Sequence, residues 1–398
     1  MKIHLSRFRT IMLVVSLFLL NIVEQAASAT SATIPNMAAT FPHVSETNIE
    51  LITTSVNLTV TIFVLVSGLV STRIGQKKTA VIGIAIAAIS SIIPVFSVSY
   101  PIILASRFIL GLGIGLSNPL AISLIGEFFE DDMMAQLMGW RSAVASVGNF
   151  VMTALASNLL TINWHFSYLV YLLFAVVLIL FVIFVPETKS QSTDSKTSKL
   201  EGSLSQGLAL SIFMGIVVLI FMSCSMITFI KIAVWFVTTG IGTAAQAGYI
   251  LSLLGLVMFV ASAIFGLVYK FLKQWVLPIM LFLSGFCLLF MTFLTKQNII
   301  GIFALLSAFF GSFSIPCIFT AINQNSSQKS APMNNAIILV GTNLGSFLSV
   351  YFAAILGKTA VDSLRNAGIV IITLSVVLLI LFIYQELKKS HLKHVPLQ

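Results

Sequence analysis

The stretch Gly68-Leu69-Val70-Ser71-Thr72-Arg73-Ile74-Gly75-Gln76-Lys77-Lys78 sits between two apolar runs, 49–71 and 79–99, each long enough to cross a bilayer. A hydrocarbon core of about 30 Å needs roughly 20 apolar residues per helix, so a short basic turn between two such runs marks one membrane surface. The fold class follows from this reading, because the remainder of the chain repeats it.

Charged residues make up 8% of the 398 residues and hydrophobic ones 58%, and the mean hydropathy is +1.07. That is too little polar surface to coat a water-soluble globule of this length. The apolar runs predict twelve spans near 10–33, 49–71, 79–99, 102–126, 136–160, 165–185, 207–232, 244–270, 275–295, 298–322, 332–356 and 364–386. With a cytoplasmic N-terminus the inside segments hold fifteen Lys and Arg, among them Lys2, Arg7, Arg9, Arg73, Lys77 and Lys78, against three outside, Lys296, Lys358 and Arg365. This asymmetry predicts an all-α polytopic protein of the cell membrane, with both termini cytoplasmic; a bacterial source and a monomer are expected. The net charge of +9 is then a matter of topology and of attraction to anionic headgroups, so membrane lipid is the expected partner and nucleic acid is not. The first run has a rival reading as a cleaved secretory signal, since Lys2, Arg7 and Arg9 precede it and Ala27-Ser28-Ala29 imitates a cleavage site. Its length, and Glu24 at its far end, favour a retained first helix.

Cys224, Cys287 and Cys317 all fall inside predicted spans, and no Cys/His spacing suggests a disulfide framework or a metal site. His4, His43, His165, His391 and His394 are scattered over ends and loops. There is no phosphate-cradling glycine loop either, which argues against an ATP-driven pump. No enzymatic activity, no cofactor and no metal are expected.

At Pro186-Glu187-Thr188-Lys189 the composition switches, and 189–205 are rich in Ser, Thr and Lys without an apolar period. This predicts a cytoplasmic linker between a six-helix bundle over 1–188 and a second over 206–387, with a tail at 388–398. A shift of 198 residues lays Ser45–Lys78 over Thr243–Val276 and matches Gly68-Leu69-Val70 to Gly266-Leu267-Val268, a weak internal repeat.

The chain resembles the major facilitator superfamily over essentially all of its length. The family's loop between helices 2 and 3 reads roughly G-x-L-A-D-R-x-G-R-K-R, and Gly68, Val70, Ser71, Arg73, Gly75, Lys77 and Lys78 match it. The family's acidic position is Thr72 here, so the cytoplasmic gate that the acid serves in the family rests instead on Glu127 with Arg73, or is weaker. Physically, the glycines allow close helix approach and a tight turn, while the basic residues hold the loop at the inner headgroups. Arg107-Phe108-Ile109-Leu110-Gly111-Leu112-Gly113 is similar to the family's R-x-x-x-G-x-G motif of helix 4, with Gly111 serving helix packing.

An arginine within a span must face protein or water and find a partner. Glu24 lies 15 residues beyond Arg9 and Arg107 six residues past Pro101, which puts them at roughly 8 and 9 Å from the outer edge at 1.5 Å per residue. Two readings of this pair stand side by side: a proton-coupling site, which the resemblance to proton-coupled drug exporters implies, and a static ion pair fixing helix 1 against helix 4. Helix 5 departs from the antiporters' G-x-x-x-G-P-x-x-G-G pattern. Counted from Gly148 it has Met152-Thr153 and Ala156-Ser157 where the family has Gly-Pro and the last glycines. Lys231 near the outer end of helix 7, followed by Trp235, reads either as a lysine snorkelling to the interface or as a second cation with Arg107 for an anionic substrate. Arg141 and Glu127 read as cytoplasmic gate residues. Asn21, Gln25 and Asn149 are pocket candidates, because amides in a span seek partners. The 32 Phe and 14 Met face lipid and neighbouring helices, or line an adaptable cavity. Together these readings predict a secondary transporter that exports small amphipathic compounds in exchange for protons; uptake or exchange of a small organic anion, sugar acid or amino acid is the alternative.

Overall fold

The computed structural model describes residues 6–25, 28–129, 131–187, 206–327 and 330–393, with no strand among them. The predicted linker 189–205 lies outside the described residues.

The first span is not the continuous helix expected over 10–33. It consists of α1 (Arg7–Gln25) and α2 (Ile34–Thr40), with a 3-10 turn at Ser31–Thr33 before α2. Pro35 lies in the first turn of α2, where its missing N–H is not required and where it cannot continue a helix from before it. There follow α3 (Glu46–Ile74), α4 (Gln76–Phe96), α5 (Tyr100–Phe128) and α6 (Asp131–Leu160). The sixth span opens with a nine-residue 3-10 stretch, Trp164–Leu172, and continues as α7 (Leu173–Phe184). The second half holds α8 (Leu208–Thr239), α9 (Ala244–Leu272), α10 (Val276–Met291), α11 (Gln297–Gly311), α12 (Ser314–Asn325), α13 (Ala331–Leu356) and α14 (Ala360–Lys393). Among the described residues nine stretches are long and apolar enough to span a bilayer, one of them the 48-residue Ala244–Met291 that contains both α9 and α10. With the broken first span and α6, twelve crossings result, in two six-helix bundles.

The repeat read from the sequence reappears in the helix ends. Ser45 caps α3 by accepting from the Asn48 N–H, and Thr243, 198 residues later, caps α9 by accepting from Gln246. At the far ends Gly75 and Lys273, again 198 residues apart, take φ of 91° and 49°. Gly75 alone separates α3 from α4; that left-handed φ is why the tight turn uses glycine. Inside each bundle small residues let backbones touch. A Cβ on Gly83 of α4 would fall 2.7 Å from the Gly113 carbonyl oxygen of α5, and one on Gly285 of α10 2.9 Å from that of Gly368 of α14.

The bundles meet along α3 with α13 and along α6 with α9. At the end where α3 and α9 begin, Gly248 of α9 lies directly against Ser157 of α6, and the Tyr249 hydroxyl donates to Asn158 Oδ1 at 2.6 Å. At the end carrying the basic turn, a Cβ on Gly68 or Gly266 would meet nothing within 4 Å. Close approach therefore does not explain Gly68 in this conformation.

Candidate functional site

In the second bundle lies a cavity of about 180 Å³, lined mainly by α8, α9, α10 and the α11–α12 pair, with Asn149 of α6 and Ser28 reaching it from the first half. Its polar groups are hydroxyls and one carboxamide, including Ser225, Thr228 and Asn149; its apolar groups include Phe221, Phe229 and Met258. Among the described residues no ionisable side chain lines it.

Local structure explains this lining. The tenth span breaks at Ser312–Phe313 between α11 and α12, and Gly311, Ser312 and Ile315 of the break face the cavity. Pro316, in the first turn of α12, has no N–H to give the Ser312 carbonyl, so a regular helix cannot run through. Interrupted backbone at membrane depth is tolerated where it lines a cavity. Ser284 and Ser307 lock α10 to α11 by each donating to the other's carbonyl at 2.9 Å. Asn149 Oδ1 accepts from the Thr153 hydroxyl at 3.3 Å.

Nearer the end where α3 begins stands an ion cluster that joins the two bundles. Lys231 Nζ of α8 lies 2.7 Å from Glu46 Oε1 and 2.7 Å from Glu50 Oε1, both of α3. The Glu46 side chain is 49% exposed, whereas that of Glu50 is 1% and that of Lys231 9% exposed. Lys231 thus neither snorkels to the interface nor lines the cavity: its charge is taken up by two carboxylates. Neither Glu46 nor Glu50 is among the residues singled out from the sequence. The available signal is their spacing, since two like charges at i and i+4 on one helix face repel each other and call for a cation.

Arg107 is buried in α5 at 1% exposure, and among the described residues none of its guanidinium nitrogens has a hydrogen-bond acceptor. Its guanidinium carbon sits 4.6 Å from the ring centre of Tyr168 and 5.2 Å from that of Tyr171. The 3-10 stretch brings those rings to one face, because side chains three apart eclipse in that helix. Their hydroxyls turn to the broken first span, Tyr171 to Thr30 and Tyr168 to Met37, leaving the π faces for the cation.

The other predicted residues fall in several places. Asn149 lies on the cavity, and Gly148 faces Ile22 of α1, 2.6 Å from where its Cβ would stand. Gly111 lies against Val56 and Thr59 of α3, too close for any Cβ. Lys77 donates to the Val182 carbonyl at 2.9 Å, Arg73 and Lys78 are exposed, and Glu127 is half-buried at the end of α5. The side chains of Asn21, Glu24, Gln25 and Arg141 lie outside the described residues.

Residues 14–266 match the family model described as Major Facilitator Superfamily. Among curated proteins, the arabinose-proton symporter of Escherichia coli K12 is 26% identical over 141 residues, 35% of this chain and 30% of that protein. The efflux pump terG of Aspergillus terreus is 32% identical over 93 residues, 23% of this chain and 18% of that protein. The matched region thus spans less than a third of either relative's length. Among solved structures, a D-xylose-proton symporter superposes with a TM-score of 0.72 at 17% identity, over 94% of this chain and 97% of that one.

Proposed function

This chain belongs to the Major Facilitator Superfamily, and from that premise we propose that it is a secondary transporter of small uncharged or amphipathic compounds, working by alternating access and exporting them in exchange for protons. The observation that carries the substrate class is the absence of any ionisable side chain among the described residues of the cavity. A full charge moved there from water would be left without a counter-charge, which is costly in a low-dielectric site. Hydroxyls and one carboxamide offer hydrogen bonds without charge selection, and Phe and Met side chains offer adaptable apolar contact. Uptake of a small anion finds less support, because Lys231 is committed to Glu46 and Glu50. The orientation follows the basic residues: the Arg73–Lys78 turn lies in the cytoplasm, and the Lys231 cluster faces the outside.

Proteoliposomes holding a pH dye, with an imposed pH gradient, test the reading. Neutral amphipathic compounds are expected to drive protons in the direction opposite to their own movement, and Asn149→Leu to weaken that flux severalfold while the protein remains folded. Proton movement in the same direction as the compound would reverse the assigned direction. Flux evoked by small organic anions alone would overturn the substrate class.

A further inference from the structure

The ion cluster between the bundles contains one more carboxylate than it has cations, and the two carboxylates stand in different surroundings. Glu46 is half in water, where its charge is solvated; Glu50 is buried. The charged groups acting on Glu50 are Lys231 and Glu46. Other titratable side chains at this end include Tyr100 of α5, whose hydroxyl donates to the Asn48 carbonyl, Tyr249 of α9, Tyr351 of α13, His43 before α3, His165 beside the Pro94 carbonyl, Lys296 before α11, and Lys358 with the Asp362–Arg365 pair at the start of α14. Arg107 of α5 is stacked on its tyrosines.

We propose that Glu50 is a proton-binding site whose occupancy releases a latch between the bundles: with Glu50 ionised, Lys231 ties α8 to α3 and holds this end shut; with Glu50 protonated, the end opens. A proton arriving from water on this side binds a carboxylate oxygen of Glu50, giving a neutral acid and leaving Lys231⁺ paired with Glu46 alone. That remaining pair is half-exposed and screened, and such pairs contribute little. The lost contact is a buried one, whose removal is far more consequential. The ammonium keeps its proton throughout; the Lys231–Glu46 pair parts as the end opens, and the water that enters solvates both charges, so opening strands no buried charge. Gly248 against Ser157 places a second close contact at the same end, so the latch acts on a surface already shaped to close.

This inference rests on alternating access but not on the substrate class, and its test uses no substrate. The three cysteines Cys224, Cys287 and Cys317 are all buried, so spin labels introduced through Asn48→Cys and Thr238→Cys report the α3–α8 separation in the full-length protein with little background. At neutral pH the short separation is expected to dominate, and acidification to shift the population toward a longer one. Glu50→Gln, the isostere of the protonated acid, is expected to raise the long population about tenfold or more at neutral pH and to abolish the pH response, while Glu46→Gln retains that response. The charge-swapped pair Glu50→Lys with Lys231→Glu should restore the short separation, which separates a lost latch from a damaged fold. If Glu50→Gln keeps the wild-type distances and their pH dependence, or if the swapped protein folds but stays open, Glu50 is not the latch.

Discussion

Gly75 and Lys273 end equivalent helices of the two halves with positive φ, but only one of them is glycine. An L-residue with a Cβ in the left-handed region costs roughly 1–2 kcal/mol, whereas glycine reaches it freely. Gly75→Ala is therefore expected to lower the melting midpoint in detergent. Lys273→Gly is expected to raise it, by relief of about 1 kcal/mol of backbone strain. A fall for Lys273→Gly would mean that the lysine side chain holds the turn more firmly than the strain opposes it. Arg107 shows how far reasoning from residues alone reaches. Its place in a span requires burial and a partner, and the burial is found. The tyrosines beneath it were not legible, because their alignment depends on a 3-10 stretch where the apolar run reads as ordinary helix.

Among the helices, those with a long apolar period and a sharp turn at each end were legible, as α3 and α9 show with their 198-residue offset and matching caps. The interrupted ones were not. The tenth span breaks before Pro316 while the apolar composition continues across the break, so hydropathy cannot register it; the first breaks before Pro35 across the small and polar stretch 24–33, whose alanines let it read as the end of one long span. Glu46 and Glu50 escaped for a related reason. The apolar run begins at 49, so Glu46 reads as a loop residue and Glu50 as the ragged edge of a span, while their lysine lies 181 residues beyond Glu50 in sequence. The break in the tenth span carries its own prediction. Pro316→Ala gives the chain back the N–H that a continuous helix needs, and it is expected to straighten α11 into α12 and move Gly311 and Ser312 away from the cavity. Transport should fall with the melting midpoint unchanged or raised; unaltered transport would mean that the break serves no substrate.

Alternation between two faces requires that the closed end come apart and that the two bundles move as bodies while doing so. Among the described residues at this end, small and polar cross-bundle pairs suit such a motion: Gly248 on Ser157, Tyr249 on Asn158, and Lys231 on its two carboxylates. Parting a seam of such pairs exposes hydroxyl, carboxamide and charged groups that water solvates, unlike the apolar packing inside each bundle. Tying it shut should therefore stop transport without disturbing the fold. Asn158→Cys with Tyr249→Cys, bridged by a short bifunctional thiol reagent that a reductant can cleave, is expected to abolish flux, and reductant to restore it. Either single substitution treated in the same way should retain flux, because the native cysteines are buried. Flux that persisted through the bridged protein would mean that substrate does not leave by this end. The cavity would then have to empty elsewhere, and the Lys231 cluster would be a permanent seam of the fold instead of a gate.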